Sequence, residues 1–397
     1  MPVTQPQAAV RVIGLISGTS MDSIDVSAVD LRLTDGTVEL IPLGHRAIAY
    51  PGALREALLA ALPPGSCTAG QLCRLDTEVG QAFGTAAADA LTDLAGGRAD
   101  LISSLGQTIY HWVDGGRCLG SLQLGQPAWI AEHTGLPVIA DLRARDVAAG
   151  GHGAPLAAVL DQLWLAGAAE PVAALNIGGI ANITVVAPEA PTLAFDTGPG
   201  NALLDAAARM VSDGVWQQDV DGELAAQGTT RPDLLATLLA DPYYVKQPPK
   251  STGKEHFHAD YLRTAMEGLP HVPAVDLLAT LVELTAVTIA DACRGREAGK
   301  VIASGGGVRN PVLMAALRRN LDPVPVITSD ELGLPTDAKE AYLAALLGFL
   351  TWCGAPADAT SATGAAGPRL LGSITPGKGP LHLPDPVTTA VTRLRVH

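Results

Sequence analysis

The sequence predicts an α/β fold in two halves, each of which opens with a β-hairpin. In the first half, an apolar run at residues 10–16 enters a tight turn of small residues and leaves through a second run at 23–31. The pattern returns at residues 172–188, as a strand, a Gly-Gly turn and another strand. Strands that end in polar, glycine-rich loops are typical of open α/β sheets, which bind ligands at those loops. We therefore expect the two hairpins to face a central cleft.

The remaining elements of the first half follow from local patterns. Alternation in SIDVSAVDL indicates a half-exposed strand, and TDGTVELI adds an Asp-Gly turn and a third strand. Helices are predicted at 51–63 and at about 69–95, followed by strands in ADLISSLGQTIYH and GLPVIAD. The second helix places apolar residues on one face: Leu72, Leu75, Val79, Phe83 and Ala86.

The second half alternates strands, glycine-rich loops and helices. LAFDTGPGNALLDAAARM predicts a strand, a Gly-Pro-Gly turn and a helix, and further helices run to about residue 292. GKVIASGGGVRN is a strand with a triple-glycine loop, and DAKEAYLAALLGFLTW is an apolar helix. We expect a disordered tail at 1–10, one lobe from 11–145 plus about 355–397, and a second lobe from 146–354.

Composition and charge exclude several classes of protein. The 397 residues carry a formal net charge of −14, which argues against a nucleic-acid partner or an anionic membrane, because both require a basic face. Five scattered cysteines without a CxxC pair fit a reducing compartment. The start, MPVTQPQAAV, has no long apolar segment, so we expect a cytoplasmic protein without a membrane anchor.

Two common nucleotide-binding signatures are incomplete. GSITPGKGP imitates the GxxxxGK phosphate loop, but Gly379 stands where Ser or Thr is required. Asn310 stands where a GxGxxG motif would place its last glycine. A Rossmann dinucleotide site is therefore unsupported.

The first hairpin turn combines small residues with carboxylates. Backbone amides of the turn, with the Thr19 and Ser20 hydroxyls, can hold phosphate oxygens. Phosphates in such sites travel with Mg²⁺, which keeps several waters and uses one or two carboxylates, here Asp22 and Asp25. An acidic surface hairpin is the alternative, because turns favour Gly, Ser and Asp. The stretch alone does not decide between them.

Other segments offer candidate ligand contacts. Asp196 ends an apolar strand and precedes a Gly-Pro-Gly turn, which suits a partly desolvated general base; the alternative is a cap of the following helix. Glu340 near a helix start is a possible second carboxylate. The 305–307 glycine loop could admit adenine or form a tight crossover. His152 has a glycine-rich setting, whereas the HxH at 256–258 fits a plain loop.

Taken together, the segments resemble one family, the anhydro-N-acetylmuramic acid kinases. The similarity runs in family order from residue 13 to about 350, and GTSMDSID with FDTGPGN is its most specific part. The other matching pieces are GQTIYH, LQLGQPAWIAEHTGLPVIADLRARDVAAGGHGAPL, LNIGGIANIT, KSTGKEHF, GGGVRNPVLM and DAKEAYLA.

The resemblance implies a two-lobed actin-like ATPase (ribonuclease H-like) fold in which the hairpins are phosphate loops. It implies ATP and Mg²⁺ as cofactors, a homodimer, and hydrolysis of 1,6-anhydro-N-acetylmuramic acid with phosphorylation of O6 in peptidoglycan recycling. Asp196 would activate water, Glu340 would help to place it, and Arg143 would bind the lactyl carboxylate.

The resemblance also assigns binding residues, with Asp22 and Asp25 near the metal. The expected nucleotide contacts are Gly18, Thr19, Ser20, Met21, Asp22, Ser23, Ile24, Asp25, Asn176, Gly178, Gly179, Gly305, Gly306, Gly307 and Asn310. The expected substrate contacts are Gln107, Arg143, His152, Gly198 and Asn201. The chain departs from the family at Ser23, often Gly, and at Leu105, often His, so a polar substrate contact is lost there.

Three alternatives remain open from the sequence. A kinase of the same fold could act on another anhydrosugar such as levoglucosan. A non-catalytic ATP-binding module like actin or a chaperone would not need Asp196 before Gly-Pro-Gly. A metal-dependent sugar hydrolase without ATP would leave the first hairpin unexplained.

Overall fold

The computed structural model describes residues 9–18, 21–63 and 65–397, which form two compact units. Unit 1 comprises Met1–Ala166 and Ala338–His397, and unit 2 comprises Gly167–Asp337. These divisions differ from the lobe boundaries expected near 145 and 354, so the loop around His152 and the helix that carries Glu340 belong to unit 1. Most of the expected N-terminal tail lies outside the described residues.

The strands and helices are numbered in chain order. The strands are β1 (Val10–Ser17), β2 (Ser23–Thr34), β3 (Thr37–Ala49), β4 (Leu101–Asp114), β5 (Arg117–Leu124), β6 (Val138–Ala140), β7 (Val172–Ile177), β8 (Ile180–Val186), β9 (Leu193–Pro199), β10 (Lys300–Ser304), β11 (Val326–Thr328), β12 (Ser373–Thr375) and β13 (Arg393–Val396). The helices are α1 (Gly52–Ala61), α2 (Ala69–Asp93), α3 (Pro127–Thr134), α4 (Ala144–Ala148), α5 (Ala157–Trp164), α6 (Asn201–Val211), α7 (Pro232–Leu239), α8 (Ala259–Met266), α9 (Ala274–Arg294), α10 (Pro311–Leu321), α11 (Lys339–Trp352) and α12 (Thr360–Thr363).

The sheet of unit 1 has the strand order β12-β6-β4-β1-β2-β3-β13, with β5 paired to β4. β1, β2 and β3 form an antiparallel meander, whereas β4 runs parallel to β1. The predicted first hairpin and third strand are therefore confirmed. The sequence analysis missed β5, which pairs antiparallel with the polar end of β4, so that β4 and β5 form a further hairpin of unit 1.

The sheet of unit 2 has the order β11-β10-β7-β8-β9. β7, β8 and β9 are antiparallel neighbours, and β10 lies parallel to β7 and β11. The second predicted hairpin is thus confirmed. So is the predicted class, because each unit is an α/β assembly with its own mixed sheet. The predicted cleft stays a prediction.

Apolar helices cover these sheets. The predicted face of α2 is confirmed, since Leu75, Val79 and Phe83 are buried in the core of unit 1. α11 is buried nearly all round, as an apolar helix without a polar face should be, and it packs on β1, β2 and β4. In unit 2, α9 supplies much of the core beside β7 and β8. Over the described part of the chain, every helix is too short or too polar to span a bilayer.

Candidate active site

The first hairpin turn joins β1 to β2 in unit 1. Ile16 pairs with Asp25 at the end of the ladder, and the amide of Met21 donates to the carbonyl of Gly18 at 3.1 Å. Met21 and Ile24 point into the core, with 0% and 1% of their surface exposed. Only their backbone groups can therefore serve a ligand. The two predicted hydroxyl contacts, Thr19 and Ser20, lie outside the described residues.

The two carboxylates of this hairpin differ in their surroundings. Asp22 is largely exposed and accepts from Nη2 of Arg55 at 2.6 Å. Asp25 accepts from the hydroxyl of Ser23 at 2.9 Å. Within the described ranges, no group of three or more His, Cys, Asp and Glu side chains could enclose a metal. A pair of carboxylates fits Mg²⁺, which keeps most of its water shell in phosphate sites.

Gln107 supports the first turn from inside unit 1. Its side chain is fully buried, and Nε2 donates to the carbonyl of Gly18 at 3.2 Å. Its Oε1 accepts from the hydroxyl of Tyr50 at 3.3 Å. Burial raises the pKa of Tyr50, so this hydroxyl stays a neutral donor. The predicted substrate contact thus has both ends of its amide engaged by the protein.

Arg143 and Glu340 act on each other electrostatically inside unit 1. Arg143 precedes α4 and donates from Nη1 to the carbonyl of Gly153 at 2.7 Å, while its Nε is buried without a hydrogen-bond partner among the described residues. Burial raises the pKa of Glu340, and the charge of Arg143 opposes that rise. Burial likewise lowers the pKa of Arg143, which Glu340 and Asp146 oppose. The two groups therefore favour each other's charged forms.

A buried aspartate builds the glycine-rich loop beside Arg143. Asp146 accepts from the amide of Gly153 and from the hydroxyl of Thr363, both at 2.8 Å. The amide of His152 donates to the carbonyl of Thr363 at 2.9 Å, which leaves its imidazole exposed. The hydrogen bonds of Asp146 therefore hold the loop from which His152 projects.

His111 on β4 is a neighbour that the sequence analysis did not select. Its Nδ1 lies 3.0 Å from the hydroxyl of Ser121 on β5. Although part of its surface is open to solvent, desolvation lowers the pKa of His111, and the positive charges of Arg143 and His152 lower it further. Three hydrogen-bond donors therefore lie near one another in unit 1: Arg143, His152 and His111. His111 closes the segment GQTIYH, which was the available signal.

The second hairpin turn is tied to the start of α6 in unit 2. The amides of Gly200 and Ala202 both donate to the carbonyl of Gly179 at 2.9 Å, and the amide of Asn201 donates to the carbonyl of Gly178 at 2.8 Å. A Cβ at position 200 would lie 2.4 Å from the carbonyl oxygen of Gly178. This close approach requires glycine and places the Gly-Gly turn directly at a helix N-terminus.

The triple-glycine loop packs against the same hairpin. Gly305 has φ 86°, and a Cβ there would lie 2.4 Å from Oδ1 of Asn176. A Cβ at Gly307 would lie 2.3 Å from Cγ2 of Ile177. Asn310 caps α10, because its Oδ1 accepts from two amides of the first turn. The predicted nucleotide contacts of unit 2 are therefore neighbours, although Asn310 also has a structural task.

Asp196 lies inside β9, paired with Asn182, and not at the strand end as expected. Its amide donates to the carbonyl of Lys250 at 3.1 Å, and its own carbonyl accepts from the hydroxyl of Tyr243 at 2.7 Å. Its Oδ2 accepts from the amide of Thr252 at 2.9 Å. Burial raises the pKa of Asp196 to about 6, against the opposing hydrogen bond from Thr252.

The alternative role of Asp196 as a helix cap does not fit the structure. Gly200 occupies the N-cap of α6, and the structure shows no side-chain hydrogen bond there. Gly198 has φ 150°, and a Cβ there would lie 2.9 Å from Cε1 of Tyr244. Close packing on Tyr244 therefore explains why position 198, two residues after Asp196, is a glycine.

The segment 250–257 carries further residues that the sequence analysis quoted without a role. Cε of Lys254 lies 2.9 Å from the position of a Cβ on Gly179, so this exposed lysine stands over the second turn. Nε2 of His256 lies 2.8 Å from Oδ2 of Asp241, and its ring stacks on Phe257 at 4.3 Å. These contacts agree with the interpretation of the HxH as a structural loop.

The chain is similar to one protein family over nearly its whole length and to individual proteins of the same name. The model of the family described as anhydro-N-acetylmuramic acid kinase matches residues 10–377. A protein of that name from Streptomyces avermitilis is 56% identical over 384 residues, which cover 97% of this chain and 99% of that protein. One from Rhodococcus erythropolis is 51% identical over 394 residues, with 97% and 99% covered.

A solved structure with a related arrangement is a ROK family glucokinase from Streptomyces griseus in complex with glucose and AMPPNP. It is 14% identical, with a TM-score of 0.35, and the match covers 84% of this chain and 97% of that chain. This likeness is too distant to support an argument about the site.

Proposed function

Because this chain belongs to the anhydro-N-acetylmuramic acid kinase family, we propose that it uses ATP and water to convert 1,6-anhydro-N-acetylmuramic acid to N-acetylmuramate 6-phosphate. The observation that carries the proposal is Asp196. Its carboxylate accepts a hydrogen bond from the amide of Thr252. Because the carboxylate is largely buried, its pKa is raised to about 6. A general base works best when its pKa lies near the working pH.

In the proposed reaction, Asp196 takes a proton from water as the water oxygen attacks C1 of the anhydrosugar. The bond from C1 to the bridging oxygen breaks, and that oxygen, O6, takes the γ-phosphoryl group of ATP. ADP leaves, and the net release is one proton. Opening an acetal by water requires a carboxylate beside the anomeric carbon, as in inverting glycosidases.

The cluster of unit 1 supplies groups for the sugar. The buried and unpaired Nε of Arg143 suits the lactyl carboxylate, because a guanidinium binds such a group through parallel N–H donors. Glu340 would help to place the attacking water. His152 and His111 would be neighbouring donors for sugar oxygens, whereas Leu105 is buried in β4 and offers none.

The glycine turns supply the nucleotide contacts. Backbone groups of residues 18–25, 178–179 and 305–307 would hold the phosphates and adenosine of ATP. Asp22 and Asp25 would hold hydrated Mg²⁺, which when bound neutralises charge on the transferred phosphoryl group. Lys254, over Gly179, is a further cation for that group. Lysine suits such a contact as a flexible point charge.

The wider setting follows from the proposed substrate. A sugar of this kind comes from the turnover of peptidoglycan, so we place the enzyme in cytoplasmic peptidoglycan recycling. We also propose that it works as a homodimer on small molecules.

Phosphorylation assays test the proposal. Purified protein with ATP and Mg²⁺ should release ADP in step with consumption of anhydromuramate, and chelation of the metal should stop the reaction until Mg²⁺ is restored. Levoglucosan, which lacks the N-acetyl and lactyl groups, is the matched control sugar. If the protein preferred levoglucosan, the proposed substrate would be wrong. If it opened the sugar without releasing ADP, the proposed kinase activity would be wrong.

A further inference from the structure

Lys339 and Asp161 form an ion pair inside unit 1 that takes no part in the proposed chemistry. Nζ of Lys339 lies 2.5 Å from Oδ1 of Asp161, and the two side chains are 9% and 3% exposed. The ammonium also lies 5.9 Å from the centre of the Trp164 ring. Buried ion pairs contribute little net stability compared with apolar side chains of similar size. A contribution to the stability of the fold is therefore not enough to explain why this ion pair is buried here.

Its place in the fold suggests another reason. The body of α11 is fixed by backbone contact with the sheet, since a Cβ on Gly14 would lie 2.1 Å from the carbonyl oxygen of Ala341. A Cβ on Gly348 would lie 2.4 Å from Cβ of Ser103. The first turn of α11 shares the contact at Ala341, but Ala338 gives it no side-chain cap. The ion pair of Lys339 with Asp161 ties this turn to α5.

Glu340 follows Lys339 directly in the same turn. Consecutive helix residues point about 100° apart, so a lysine held by α5 sets the direction of the next side chain. The charged groups that act on Glu340 are Arg143 from the start of α4 and Lys339 from its own helix. Both charges oppose the effect of burial, which raises the pKa of Glu340.

We propose that the Lys339–Asp161 pair is a positioning device, which orients the Glu340 carboxylate for its part in the reaction. The kinetic side of this inference rests on the proposed function. Lys339 and Asp161 act through Glu340 and do not touch the substrate.

The test uses a double variant, Lys339→Met with Asp161→Asn. Either single change would leave one buried charge without its partner and endanger folding, whereas the double change removes both charges and keeps similar volumes. Lys339→Arg is the conservative control, because it retains the positive charge. The thermal midpoint of each full-length variant is measured to show that it folds.

Two measurements are then made on the folded variants. Carboxyl ¹³C NMR, assigned by comparison with Glu340→Gln, should show a higher pKa of Glu340 in the double variant than in the wild type. The turnover number with anhydromuramate should fall about tenfold or more, with the sugar KM changed by less than about twofold. In a Glu340→Gln background, the double change should cause no further loss. The Lys339→Arg variant should keep a Glu340 pKa and a turnover number close to those of the wild type.

The outcomes separate the possible failures. An unchanged Glu340 pKa with unchanged turnover in the folded double variant would overturn the inference, as would a loss confined to the thermal midpoint. An additive loss in the Glu340→Gln background would also reject it. If the wild type does not turn over anhydromuramate, the proposed function fails, and the NMR titration still decides whether the pair controls Glu340.

Discussion

The backbone amide of Thr252 donates a 2.9 Å hydrogen bond to Oδ2 of Asp196, across 56 residues of sequence. This bond restrains Oδ2 of the carboxylate and leaves Oδ1 for other partners. Burial nevertheless raises the pKa of Asp196 to about 6, because desolvation outweighs the single hydrogen bond. The carboxylate is therefore both oriented and basic enough to accept a proton.

Replacing Asp196 with Asn should abolish most sugar turnover. The amide cannot accept the proton of water, and general bases contribute about 10²–10⁴-fold to rates. ADP affinity should stay within about twofold, since the change leaves the glycine turns intact. Steady-state kinetics and calorimetric ADP titration measure the two quantities. Asp260→Asn, at an exposed position on α8 of the same unit, is the matched control and should keep full activity. Normal turnover in Asp196→Asn would remove the general-base role.

The rate should depend on pH through the same carboxylate. A general base acts only when it is deprotonated, so kcat/KM should rise as the pH passes through about 6 and then level off. The charge of Glu255 contributes to the raised pKa of Asp196, so Glu255→Gln should move this limb to lower pH. Initial rates across a pH series give both curves. A limb near pH 4, the ordinary value for an exposed aspartate, would show that Asp196 is not desolvated in the working enzyme.

The stability of the protein should show the cost of ionising Asp196. Its folded pKa, about 6, lies above the unfolded value of 3.8, so its contribution is present below about pH 4 and is lost as the pH rises through 6. Asp196→Asn should therefore be more stable than the wild type near neutral pH, on the order of 1–3 kcal/mol, and about equal to it near pH 4. Thermal midpoints at the two pH values measure this difference. A variant that is less stable at neutral pH would contradict it.

Lys254 should matter for phosphoryl transfer and not for sugar binding. Its ammonium stands over Gly179, and loss of one group that stabilises developing charge costs roughly 10²–10³-fold in rate. Lys254→Met should therefore lower kcat or raise the KM for ATP, with little effect on the KM for sugar. Lys246→Met, another exposed lysine of unit 2, serves as the control. Equal kinetics in the two variants would show that Lys254 has no catalytic part.

Much of the fold could be predicted because its signals are local. The alternation in β2 and the Gly-Gly turn at 178–179 identify both hairpins without knowledge of distant residues. Asp196 is predicted as a candidate for the same reason, from a strand followed by Gly-Pro-Gly. Its surroundings could not be predicted, because the amide of Thr252 and the hydroxyl of Tyr243 reach it only after folding.

The cluster around Glu340 shows the same limit. Its position in the first turn of a helix was evident, but its neighbour Arg143 lies far away in the sequence. The ion pair of Lys339 with Asp161 has no local pattern at all, since the two residues lie in different helices, α11 and α5. The family resemblance predicts Gln107 as a substrate contact, yet folding places its side chain beneath the first turn.

The most direct test of the account is mass spectrometry of the product formed from anhydromuramate and ATP in ¹⁸O-labelled water. The account holds that Asp196 directs water to C1 and that O6, freed by this attack, receives the phosphoryl group. The product should therefore carry one ¹⁸O atom at C1 and an unlabelled phosphate on O6. Label in the phosphate, or a phosphorylated sugar without label at C1, would contradict it.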